Sequence, residues 1–127
     1  YPLGYRDITL GGSLNHLEQI YQGNPIEWLD DWVTIEIKHD FFKSITYHFD
    51  KKGDSKIVST ITFLYNNNKV GLQTYQILKN QALEELRRYK YIEDNRNKSN
   101  TLIIRNVNGV DLEISSIALK ISNHYEQ

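Results

Sequence analysis

The 127 residues include no cysteine and no methionine, and only two prolines and seven glycines. Without cysteine there is no disulfide, no thiolate nucleophile and no thiolate metal site. No apolar run approaches the roughly 18–20 residues of a membrane-spanning helix. An excess of either charge is missing too. Fifteen basic and 16 acidic residues leave a formal net charge of −1, which gives no electrostatic support to a general nucleic-acid or anionic-membrane role. Scarce glycine and proline argue against a linker or a tail. The absence of methionine extends to position 1, so the expectation is a mature form, an excised domain or a trimmed chain, and a removed signal or anchor segment is one explanation of it. An extracytoplasmic location goes with it (periplasmic, cell-surface or lipid-anchored), with the cytoplasm as the alternative.

What is present is ordinary for a globular chain: 39% hydrophobic, 24% charged and 12% aromatic residues, with nine tyrosines and two tryptophans. One domain spanning 1–127 is expected, long enough to bury a core without staples. The strongest periodic signal lies in residues 68–91. There Leu72, Tyr75, Leu78, Ala82, Leu83, Leu86 and Tyr89 recur at three- and four-residue steps, which predicts a long amphipathic helix. Earlier, Ser13 is a good N-cap for a short helix carrying Leu14, Leu17, Ile20 and Tyr21, closed by Gly23 and Pro25.

Strand signals surround these helices. Val33, Ile35 and Ile37 alternate with polar residues, as do Ile45, Tyr47 and Phe49. A third strand over 57–65 places Ile57, Ser59, Ile61, Phe63 and Tyr65 on one face. Residues 93–100 contain no apolar side chain and read as an exposed loop. Asn108-Gly109 between apolar runs marks a hairpin with arms 101–107 and 110–121, because both turn positions of that type need positive φ. The second arm changes phase at Ser115-Ser116, which reads as a bulge. Together these signals predict an α+β fold: an antiparallel sheet of about five strands, a short N-terminal helix, and one long helix packed on one face. A loose helix-then-hairpins pattern is written twice, over 12–65 and 71–121.

The first half also carries a resemblance. Gly-Gly-Ser-Leu-Asn-His-Leu-Glu-Gln-Ile-Tyr-Gln-Gly-Asn-Pro (11–25), followed by Ile-Thr-Tyr-His-Phe-Asp and Lys-Ile-Val-Ser-Thr-Ile-Thr within 45–62, resembles one half of the small outer-membrane assembly lipoproteins and the tandem β-lactamase-inhibitor proteins. The resemblance covers about half the chain, and its motifs are structural. It implies an exported α+β binding module and carries over no partner and no site residue. The second half departs from the pattern, with a longer helix and no Gly-x-Pro after it. The small size and the Ile-, Asn-, Lys- and Tyr-rich composition are similar in character to immunity proteins that neutralise toxins in bacterial competition.

Motifs for chemistry are missing. His16, His39, His48 and His124 show no metal-ligand spacing. No nucleophile elbow presents a serine, and Gly11-Gly12 lacks the further residues of a phosphate loop. Asn97-Lys98-Ser99 matches a glycosylation sequon, a match too common to count. No catalytic residue, cofactor or metal is expected. The best binding candidate is the acidic and aromatic connection of Glu27, Trp28, Asp30, Asp31 and Trp32, since large aromatics beside charges make interface anchors. Its tryptophans read equally as a plug at the end of the sheet, and carboxylates this close in one loop rarely face each other as a glycosidase pair does.

The second candidate is the polar sheet face, with Thr34, Glu36, Lys38, Thr46, His48, Lys56, Thr60 and Thr62. The expected function is therefore non-enzymatic binding of another protein, a toxin or an enzyme, by an inhibitor or immunity protein. The partner-facing residues are expected to be Glu27, Trp28, Asp30, Asp31, Trp32, Glu36, Lys38 and His48. An envelope-assembly or lipoprotein accessory domain is the alternative, and a small hydrolase the remote one.

Overall fold

The computed structural model describes residues 4–5, 8–22, 31–86, 92–94, 101–107 and 109–124. In chain order its elements are β1 (Gly4–Tyr5), β2 (Ile8–Thr9), α1 (Leu14–Ile20), β3 (Trp32–Glu36), β4 (Phe42–Lys52), β5 (Ser55–Tyr65), α2 (Asn68–Leu86), β6 (Ile92–Asp94), β7 (Thr101–Val107), β8 (Val110–Ser115) and β9 (Ala118–Asn123). Strands β1 and β2 pair with each other. The other seven form one antiparallel sheet in the order β3-β4-β5-β9-β8-β7-β6.

The core is written into the register of that sheet. Val33, Tyr47, Ile61, Ile121, Leu112 and Ile104 stand opposite one another in a row across six strands. Ile35, Ile45, Phe63, Leu119, Ile114 and Leu102 form the next row. All twelve are buried. Side chains alternate across a strand with a period of two, so a slip of one residue anywhere would turn that strand's share of both rows to the solvent. Helix α1 lies on the same side. Ser13 caps it by accepting the His16 N–H at 3.1 Å. Its Leu17 is fully buried, and Tyr21, which follows it, shares a 3.2 Å hydroxyl hydrogen bond with Tyr47.

The α+β class with a long helix at its centre is overturned. Strand makes up 55% of the described residues, the main sheet has seven strands rather than about five, and the helices are minor elements of 7 and 19 residues. The protein is mostly β. Part of the discrepancy lies at Ser115-Ser116, where the phase change is a chain reversal between two strands and no bulge. The Ser115 hydroxyl accepts the N–H of Ile117 at 3.2 Å and of Ala118 at 3.1 Å, closing a tight turn. A bulge does occur in β5, where the register shifts opposite His48 and Phe49 and Ser59 donates to the His48 carbonyl at 3.3 Å. It brings Val58 into the hydrophobic core, with Ser59 also buried and Ile57 only half-buried. Beyond it, the Val58 N–H and C=O bond Gly12 O and Gly11 N, each at 2.8 Å. Glu93 and Asp94, expected in a loop, belong to β6; 95–100 lie outside the described residues.

Helix α2 keeps Tyr75 and Leu78 of the stripe its periodicity suggests on the core but not Leu72. Gly71, Thr74 and Tyr75 are buried and Leu78 is half-buried, whereas Leu72 is 42% exposed. The side chains of Ala82, Leu83 and Leu86, and all of Tyr89, lie outside the described set. The cause is a backbone contact at Gly71, where an added Cβ would sit 1.9 Å from the Ser116 carbonyl oxygen. Glycine lets the first turn rest directly on the β8–β9 turn, and that contact rolls Leu72 outward. Alanine in place of glycine raises helix stability by about 1 kcal/mol where nothing interferes. Here Gly71→Ala should instead destabilise the fold by about 1–3 kcal/mol, the usual cost of overpacking. Chemical denaturation checks it, and a stabilised variant would show that α2 does not rest on Ser116.

Beneath that turn, Tyr65 stacks on Phe42 with ring centroids 5.3 Å apart. Its buried hydroxyl has no hydrogen-bond partner among the described residues, and burial pushes its pKa up to about 12. An unfolded tyrosine ionises near 10, so this contribution to stability is whole below about pH 10 and is lost as pH rises through 12. Tyr65→Phe should abolish that loss and relieve an unpaired polar group, which typically costs about 1–3 kcal/mol. Parallel alkaline unfolding of the two proteins tests this. Equal losses of stability above pH 10 would contradict it.

Candidate partner-binding face

The reverse of the sheet follows from the same register. Residues between the core positions must point the other way, which places Trp32, His48, Thr60, Ser122 and Asp111 in one row. Thr34, Thr46, Thr62, Lys120, Glu113 and Ile103 form the next. Both helices lie on the core side, so no described element covers this face, and antiparallel sheets commonly keep one face in water.

Its two halves differ in chemistry. The β3–β5 half is largely uncharged, and Thr34 and Thr46 join their hydroxyls at 2.8 Å. Trp32 stands on the edge strand, 41% exposed, directly opposite His48, so it is not a plug in the core. Glu36 lies four residues along the same strand, about 13 Å away at the usual rise per residue.

The β7–β9 half is ionic. A depression of about 110 Å3 there is lined by Arg105, Asp111, Glu113, Lys120 and Ser122 among others. Asp111 anchors it. Its Oδ1 accepts the Asn106 N–H at 2.9 Å and lies 2.8 Å from His124 Nδ1, while Arg105 approaches its Oδ2 at 3.6 Å. A carboxylate only accepts, so Nδ1 must carry the proton in that bond. An imidazole oriented by a carboxylate is half of a nucleophile-activating arrangement, but no serine or threonine hydroxyl is hydrogen-bonded to His124 among the described residues. No cluster of three His, Asp or Glu side chains suited to a metal occurs among them either.

Of the residues singled out from the sequence, Trp32, Thr34, Glu36, Thr46, His48, Thr60 and Thr62 share this face. Asp31 is exposed just before β3, where its carbonyl accepts the Phe49 N–H at 2.8 Å. Lys38 is exposed beyond the far end of β3, off the strand. Lys56 lies past the bulge, paired with Lys51. Glu27, Trp28 and Asp30 lie outside the described residues. The cluster around Asp111 went unrecognised in the sequence. The available signal was the alternation of Asp111 and Glu113 after an Asn-Gly turn, which fixes a face but names no neighbours. No helix is long and apolar enough to cross a membrane among the described residues. No protein family, no curated protein and no solved structure matches this chain.

Burial first, and then the Lys120 ammonium, holds the His48 imidazole below its usual 6.5. The folded state therefore favours the neutral ring. Its contribution to stability is present above pH 6.5 and is lost as pH falls below that value toward the folded pKa. Lys120→Gln should raise the His48 pKa, measured by NMR titration of the ring protons. An unchanged midpoint would assign the whole shift to burial.

Proposed function

We propose that this chain is a non-enzymatic protein-binding module, an inhibitor or immunity protein that neutralises a toxin or enzyme by covering it with the open sheet face. The observation that carries the reading is the side of a seven-stranded sheet that no described element covers, where an exposed tryptophan on the edge strand stands opposite His48 and shares the face with Glu36. Tryptophan supplies large apolar contact area at a small entropic cost and is enriched among residues that dominate binding. A face whose side chains hang from a hydrogen-bonded sheet is preorganised, so little ordering opposes association. Occluding a partner needs no cofactor and no catalytic group. An extracytoplasmic setting is part of the proposal, and its support is the resemblance of residues 11–62 to exported binding modules.

The test is affinity capture from the source cells with the wild-type chain and with a Trp32→Ala, Glu36→Lys, His48→Asp variant, followed by titration of the purified captured protein. All three side chains are exposed, so the melting temperature should stay within a few degrees. Affinity should fall by about tenfold or more, equivalent to roughly 1.4 kcal/mol, and part of the loss should diminish at high salt, where rim charges are screened. A partner that binds both proteins equally would remove the site from this face. A partner whose activity survives saturation with this chain would overturn the inhibitor reading.

A further inference from the structure

On the opposite, helix-bearing side, α2 and the start of β4 enclose a groove of about 430 Å3. Phe42 and Phe63, with ring centroids 5.2 Å apart, make its floor. Phe41 and Ile77 stand on its rims, 49% and 58% exposed. His39, Thr74 and Gln81 add polar groups, and among the described residues no charged side chain lines it.

The rim is held in place without any ligand. Asn66 Nδ2 donates to the carbonyls of His39 and Asp40, both at 2.9 Å, and the Asn66 N–H donates to Phe41 O at 2.8 Å. The Phe41 N–H in turn donates to His39 Nδ1 at 3.1 Å. That bond fixes the imidazole: with Nδ1 accepting, the proton of the neutral ring sits on Nε2, which makes His39 a donor at the rim.

We propose that this groove binds a small, uncharged, flat aromatic molecule of one or two rings that presents a hydrogen-bond acceptor to His39. Its volume falls in the range of about 300–1,000 Å3 typical of ligand pockets, and an apolar lining with a few placed polar groups is their usual chemistry. The aromatic walls select the ligand class. The rings of His39, Phe41, Phe42 and Phe63 meet at angles of 33° to 79°, exposing both edges and faces. Those surfaces favour another ring stacked or edge-on over an aliphatic chain. The described lining residues offer no opposite charge to an ion, and a buried unpaired charge is costly. The groove and the open face are on opposite sides of the sheet, so the two sites are separately testable.

The experiment is an NMR titration of the isotope-labelled chain with quinoline, which carries a ring-nitrogen acceptor, and with naphthalene, which has the same two-ring shape and no acceptor. Quinoline should move the resonances of Phe41, Thr74, Ile77 and Gln81 saturably, with a dissociation constant below about 1 mM, and naphthalene should bind the same place about tenfold more weakly. Ile77→Glu, at an exposed helix position, should weaken quinoline by about tenfold or more, while Trp32→Ala should leave it unchanged. Shifts that never saturate or spread beyond the groove would overturn the proposal, as would quinoline binding indifferent to Ile77→Glu. Equal affinity for the two probes would overturn the role of His39.

Discussion

The pairing of β5 with β9 is the constraint on which the rest depends. Within the sheet it alone joins the meander β3-β4-β5 to the meander β7-β8-β9. Only its observed register sets Ile61 against Ile121 and Phe63 against Leu119. Each meander by itself holds half of two apolar rows, with a raw edge at its last strand. Joined, they form two unbroken rows of six, and the hydrophobic effect acts on the whole because the residues align across every strand. A contact between strands this far apart in sequence must overcome a large loop-closure entropy. It persists because correct register buries all of its apolar neighbours at once.

The helices take their places from this sheet. Helix α1 covers the rows near Tyr47, where two tyrosine hydroxyls bond each other. Helix α2 rests on the β8–β9 turn at Gly71, and its Thr74, Ile77, Leu78 and Gln81 line the aromatic groove together with Phe41. The two candidate sites thus have one origin. With both helices on one side of the sheet, no described element covers the other side, and the groove lies on the helix side between α2 and the start of β4.

Much of this was legible in the residues. Alternation in β3 and β4, the Ser13 cap and the Asn-Gly turn are local signals, each decided by chemistry within a few positions. The polar face was legible in part, because parity along each strand puts Thr34 with Glu36 and Thr46 with His48 on the side away from the apolar residues. What misled the reading was degeneracy. A change of phase in an alternating run reads the same whether the strand bulges or reverses, and at Ser115 it reverses. A repeat over α2 tells which side chains are apolar, but the seat at Gly71 decides which of them face inward.

The sequence by itself determined the hairpin at Asn108-Gly109, the absence of cysteine chemistry, the capped first helix and the composition of the open face, since all of these follow from residue type and short spacing. Tertiary structure decided the predominance of β, the strand order, the meeting of Asp111 with His124 and Arg105, and the His39–Phe41–Phe42–Phe63 groove. Each of these rests on contacts between segments distant in the chain. Such contacts are selected by the free energy of the assembled core, and short-range patterns do not encode them.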